Sequence, residues 1–197
     1  KVEEETITDS WGRYPSVPIQ NYSYNGYKVT SSSEYWHYKD SYPAWEVFNH
    51  LDNSQSDGWL TINAENYTGT NSVYSGTSRL SSGVDMGEWI KLEMPYKIYM
   101  DFMYITGPGV SSADSPAPKS YKVYGSNDDI NWYQVLSRTN DLVTHRGSTN
   151  YHSKLRTADD KSKAYKYFAL VVTQNNGLTS YTQVSELSYF GYKEGDR

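Results

Sequence analysis

The residues in this chain best suited to chemistry are few, and their spacing argues against most of what they suggest. "SNDD" at 126–129 sets four acceptor side chains in a row. Such a run would serve a metal loop, a catalytic carboxylate pair or a tight connection. Asp128 and Asp129 are adjacent, and neighbours in an extended segment point to opposite faces, so a shared acid–base site would need a special turn. The four histidines, His37, His50, His145 and His152, have neither HxxxH nor HExxH spacing, the patterns that aim two imidazoles at one metal. No GxSxG elbow occurs. "GPG" at 107–109 is not followed by the Lys-Ser/Thr of a phosphate loop. With no cysteine in the chain, disulfides and thiolate chemistry are excluded. These residues argue against an enzyme.

Composition narrows the partners. The net charge is −5 and no Lys/Arg run occurs, which argues against nucleic acid or anionic lipid as the main partner. No apolar run approaches the roughly 20 residues that cross a bilayer. The abrupt opening "KVEEETITDSW" reads as a piece of a larger polypeptide. Tyrosine is abundant, 21 residues against 4 phenylalanines. A ring with a polar tip suits strands with one wet face, and flat sites that stack on ligands. "NYS" at Asn21 and "NYT" at Asn66 fit the N-glycosylation pattern.

The elements that must position any site are strands. Segments 26–33, 87–94, 96–106, 120–126, 131–137, 165–173 and 184–192 are short, aromatic or β-branched, and bounded by Gly, Pro, Asn or Ser. In "EWIKLEM" the alternation predicts Ile90, Leu92 and Met94 on one face, and Trp89, Lys91 and Glu93 on the other. "FALVVT" is apolar throughout, as for a strand covered on both sides. One short helix is predicted in "SYPAWEVFNHL", with Pro43 at its first position and Ala44, Val47, Phe48 and Leu51 as an apolar stripe. Loops 71–87 and 107–119 are long, as binding loops are. The architecture predicted is an all-β sandwich.

"YPAWEVFNHLDNSQSDGWLT", "GEWIKLEMPYKI", "PKSYKVYGSNDDINWYQVL", "YKYFALVVTQNNG" and "VSELSYFGY" occur in this order. Together they resemble the coagulation factor V/VIII type C, or discoidin, domain, a galactose-binding-like jellyroll. The match spans about residues 25–192, leaving 1–24 as an extension packed on or leading into the domain and 193–197 as a tail. In style the chain is most similar to copies in large viruses, phages and bacterial surface proteins. The resemblance implies that "SNDD" is the turn of the central hairpin, with Asp129 where Gly is usual and Trp132 as packing anchor.

Two sites follow from the resemblance. Many carbohydrate-binding members hold a structural Ca²⁺ between the loop after the helix and a Glu opening the last strand. Here that implies Asn49, Asp52, Ser54, Asp57 and Glu186, with nearby carbonyls completing the six to eight oxygens that Ca²⁺ takes. Asn49 stands where Asp is usual. The alternative is that Asn49 and Asp52 cap the helix and Glu186 bonds the loop backbone, knitting the same segments without metal. Ligands bind family members through loops at the end away from the termini. By position these carry Trp36, His37, Tyr74, Arg79, Asn175, Asn176 and Tyr181. Aromatic faces with fixed amides suit a pyranose. Trp59 is expected in the core, and Tyr74 could equally cover its own loop.

The function implied is a non-catalytic carbohydrate-binding module, attaching a larger surface or virion protein to a glycan or cell-wall polysaccharide. Its expected place is outside the cell, on a cell surface or on a virion. The competing expectation is a structural or protein-interaction domain of a capsid, fibre or surface protein, assembling with other copies. Leu80 beside Arg79 is the one hint of lipid binding.

Overall fold

The computed structural model describes residues 11–35, 42–51, 58–108, 115–143 and 154–196. Trp36, His37, Asp52, Ser54 and Asp57 lie outside the described residues. The strands, in chain order, are β1 (Gly12–Tyr14), β2 (Ser23–Tyr24), β3 (Tyr27–Ser31), β4 (Trp59–Leu60), β5 (Tyr67–Thr68), β6 (Val73–Tyr74), β7 (Glu88–Thr106), β8 (Ser115–Ser126), β9 (Tyr133–Arg138), β10 (Lys154–Thr157), β11 (Ala164–Asn176), β12 (Gln183–Val184) and β13 (Glu186–Lys193). All the ladders between them are antiparallel. Among the described residues no helix is long and apolar enough to cross a membrane.

The sandwich has two layers joined by one strand. The first half of β7 pairs with β3 and β11, and β8 and β9 extend that layer. Its second half pairs with β13 and β10, and β1 flanks β13. Segments 87–94 and 96–106, expected as separate strands, are therefore one strand that changes layer near Pro95. The bend is matched across the sheet by a register shift between Tyr165 and Tyr167. Of residues 1–24, expected as an extension packed on or leading into the domain, the described part supplies β1, paired with β13, and β2, paired with β3.

Side-chain alternation sets the core. Ile90, Leu92 and Met94 face inward with Val29, Phe168, Leu170, Val172, Leu187 and Tyr189. Trp89 faces outward into a second cluster with Leu80, Val84, Tyr124, Trp132 and Val171. That cluster explains why "FALVVT" is apolar throughout. The segment 78–87 folds over the outer face of β11, its ends tied by the Gly87 N–H to the Ser78 carbonyl at 3.1 Å. Leu80 packs into this cluster, so it is not an exposed apolar spike.

The helix is shorter than its apolar stripe suggested. It is a 3₁₀ turn, Ala44–Phe48, with Pro43 as N-cap rather than first residue. With three residues per turn, Ala44 and Val47 stack on the buried side. The chain then leaves through Asn49 and His50, whose φ is +62°. Leu51, expected on the stripe, is 52% exposed as a result.

"SNDD" is a turn. Asp129 has φ +61°, the conformation for which Gly is favoured and Asp tolerable. The Asp128 carboxylate accepts the Asn131 side-chain amide at 2.7 Å and the N–H groups of Asn131 and Ile130 at 2.8 and 3.0 Å. Those bonds hold its carboxyl below the usual range. Asp129 pairs instead with Lys91 at 2.8 Å. Asp128 is spent on the turn itself, and Asp129 ties the turn to β7.

Candidate functional site

The two ends of the sandwich differ. Gly12 pairs with Gly191, Lys193 with Ile98, and the Glu194 N–H reaches the Lys97 carbonyl, so both ends of the described chain meet near the β7 bend. At the far end lie the starts of β7, β8 and β13 and the end of β11, together with the loops between them.

These loops are laced to one another by backbone. The segment after β4 runs beside 179–184, with Thr61 N–H to Thr182 O at 3.1 Å, Ala64 to Ser180 at 3.2 Å and Tyr67 to Thr179 at 3.1 Å. Tyr35 N–H donates to Leu60 O at 2.9 Å, and Ser75 to Asn66 O at 2.7 Å. Gly58 permits the close approach beneath: its φ is +98°, and a Cβ there would stand 2.2 Å from the Val184 carbonyl oxygen.

One buried carboxylate anchors the bundle of loops. Glu88 alternates with Ile90 on the inner face of β7 and is 1% exposed. It accepts the Ser32 hydroxyl, the Ser33 hydroxyl at 2.8 Å and the Asn66 amide at 3.2 Å. Ser33 Oγ in turn accepts the Ile62 N–H at 3.1 Å, and the Ser33 carbonyl accepts the Trp59 indole at 2.8 Å. Trp59 is fully buried, as expected of a core residue. Asn66 thus spends on Glu88 the nitrogen that glycosylation of "NYT" would require. Tyr67, buried beside Glu88, has its phenol held well above the usual range by burial first and the Glu88 charge second.

The expected ligand residues fall into three groups. Asn175 and Tyr181 come together, but Asn175 is a brace: fully buried, it donates Nδ2 to the Tyr181 carbonyl at 2.9 Å. Tyr181 and Asn176 stay partly exposed. The Tyr181 ring meets Tyr35 edge-on, centroids 6.1 Å apart. Tyr74 covers its own loop. Its hydroxyl accepts the Ser78 N–H at 3.1 Å, and its ring stands edge-on to Tyr67 at 5.4 Å. Arg79 is exposed and pairs by backbone with Met86, on the segment lying over the outer face of β11 rather than among the far-end loops. Tyr35 is a residue that sequence reasoning passed over. It directly precedes Trp36 and His37, and its backbone bond to Leu60 and ring contact with Tyr181 show that it joins this end.

The second expected site brings its two described residues into one neighbourhood. The 3₁₀ turn packs on β13, with the Phe48 and Tyr189 rings 6.5 Å apart. Asn49 Oδ1 accepts the Leu51 N–H at 2.8 Å, the capping role held open as the alternative. Glu186 is fully buried on the outer side of β13, where Arg13 Nη2 donates to its Oε1 at 2.7 Å. Arg13 Nε donates to Ser188 Oγ at 2.9 Å. His50 Nε2 lies 3.1 Å from the Pro15 carbonyl oxygen. Burial first, then the Arg13 charge, lowers the His50 pKa to about 4. Among the described residues no three His, Asp or Glu side chains converge. Of the expected calcium ligands, the two described ones are engaged otherwise, Glu186 by the Arg13 guanidinium and Asn49 by the Leu51 N–H.

No protein-family profile matches the sequence, and no curated protein matches it. Solved structures do. The chain is similar to the F5/8 type C domain of a Bacteroides fragilis protein (TM-score 0.55, 12% identity, covering 93% of this chain and 97% of that one). It is also similar to a family 32 carbohydrate-binding module of Clostridium perfringens solved with GalNAc-β-1,3-galactose (TM-score 0.52, 17% identity, 84% and 96% covered). It matches a family 89 glycoside hydrolase of C. perfringens as well (TM-score 0.56, 16% identity), covering 87% of this chain but spanning 14% of the hydrolase. These likenesses show the fold: an all-β sandwich of the discoidin, galactose-binding-like type.

Proposed function

We propose that the chain is a non-catalytic carbohydrate-binding module whose ligand meets the loops at the end away from the chain ends. One observation carries this reading. Tyr35 and Tyr181 bring two partly exposed rings together edge-on, on loops locked from beneath by Glu88 and Asn175. A rigid aromatic surface costs little entropy on binding and suits the apolar side of a pyranose. Asn176 in the same loop supplies an amide for hydroxyl groups. The fold shared with a module solved with GalNAc-β-1,3-galactose supports the substrate class. The neighbours that match over most of both chains include carbohydrate-binding modules.

In this reading the module tethers a larger surface or virion protein to glycans outside the cell. A single copy binds on the order of 0.1–1 mM, and multiple copies add avidity. The test is a glycan array probed with a multivalent form, followed by titration of the best hit. Tyr181→Ala and Tyr35→Ala should each weaken binding about tenfold while the melting temperature holds. A blank array, together with no response to cell-wall polysaccharide, removes the reading. It would favour the competing one, a structural or protein-interaction domain.

A further inference from the structure

Glu186 stands where the resemblance puts a calcium ligand, yet a protein cation already serves it. Arg13 reaches Glu186 because of strand register. β1 pairs with β13 so that Arg13 lies opposite Phe190, with Tyr14 turned to the core and Arg13 to the outer side. Glu186, Ser188 and Phe190 share that outer side by alternation. The guanidinium then contacts two of them at once, Nη2 on Glu186 at 2.7 Å and Nε on Ser188 at 2.9 Å, with its centre 6.0 Å from the Tyr104 ring centroid. Only a planar fork can make both polar contacts, and it stays charged at any working pH.

A divalent ion coordinated by the same carboxylate would sit roughly 2.3–2.6 Å from its oxygens. That position lies within a few ångströms of the guanidinium, where like charges repel. Asn49, the other described candidate, has turned its oxygen to the Leu51 N–H. We propose that Arg13 is the resident counter-ion of Glu186, binding the first strand to the last and making the domain independent of calcium. This inference concerns stability. It stands apart from the glycan reading, so a blank glycan array leaves it untouched.

The test uses the 197-residue chain, melted with millimolar CaCl2 and separately with EDTA, and titrated with CaCl2 by calorimetry. The wild type should melt at one temperature in both solutions and give no saturable heat. Arg13→Gln should lower the melting temperature by roughly 4–8 °C, and that loss should vanish in a Glu186→Gln background. Arg13→Lys, which keeps the charge without the fork, should fall between. A saturable calcium heat or a calcium-raised melting temperature in the wild type overturns the proposal. So does an Arg13→Gln loss that is absent, or equal in both backgrounds. Should Arg13→Gln fail to fold, the wild-type calcium result decides alone.

Discussion

Two buried carboxylates at the same end of the sandwich are held in opposite ways. Glu88 lies inside, beneath the far-end loops, and among the described residues its hydrogen-bond donors are neutral: Ser32, Ser33 and Asn66. Glu186 lies on the outer side of β13 and is met by a full positive charge from Arg13. The difference follows from what each must hold. Glu88 gathers two loop segments that come from separate parts of the chain, around Ser32–Ser33 and Asn66, and several directional donors serve that purpose better than one ion. Glu186 joins two strands already in register, so one long side chain crossing between them suffices. Neutral donors fix geometry, while the ion pair supplies charge balance.

Breaking the inner carboxylate should have the larger effect. Glu88→Ala would leave two hydroxyls and an amide, all partly buried, without their acceptor, a loss of about 3 kcal/mol in urea denaturation. Glu88→Gln should cost about 1–2 kcal/mol, because an NH2 group would then face the Asn66 donor. Raising salt should leave both losses unchanged, whereas a charged pair is partly screened. A salt-dependent Glu88→Ala loss would mean that the contrast drawn between the two carboxylates is false.

The outer side can be probed by pH through His50. Its folded pKa, about 4, lies below the unfolded value near 6.5. The unfolded chain therefore takes up a proton first as pH falls, and stability drops between about pH 6.5 and 4, then levels off. Allowing for partial solvent access, the drop is on the order of 1 kcal/mol. It should disappear in His50→Asn, measured by denaturation at a series of pH values. An unchanged profile in that variant would place the titration elsewhere.

The smallest change is expected at the hairpin, remote from both carboxylates. Asp129→Gly relieves a positive φ but removes the Lys91 pair, which is partly exposed. The two effects should offset to within about 1 kcal/mol on chemical denaturation. A larger loss would mean that the turn depends on the ion pair rather than on backbone geometry.

How far the sequence could be read depended on the range of the interaction. The faces of Glu88–Met94, the two-sided cover of "FALVVT" and the turn at Asp129 were legible, because each rests on period-2 alternation or a local φ. The continuity of β7 was not, since Pro95 reads as a break when it is in fact a bend. Lys154–Thr157 was missed because four largely polar residues carry too little pattern. The start of β8 was hidden by Pro116 and Pro118, which cannot donate to a ladder and lie among register shifts against β11. Asn175 was correctly placed at the far end, but its role as a buried brace depends on the Tyr181 carbonyl. Arg13 and Glu186 are 173 positions apart, and no local pattern announces such a pair. Leu51 misled because a 3₁₀ turn carries its stripe at a different period from an α-helix.

The passage of β7 from one layer into the other has a consequence for how the fold can fail. A sandwich whose halves were joined only by loops could lose one half and keep its partner. Here a single covalent ribbon runs through both, and at Ile98 and Tyr99 it pairs with β11 and β13 at once, so fraying of one layer pulls on the strand that the other is built on. Partial melting has no natural seam to follow, and the loops at the far end keep their shape until the whole body gives way.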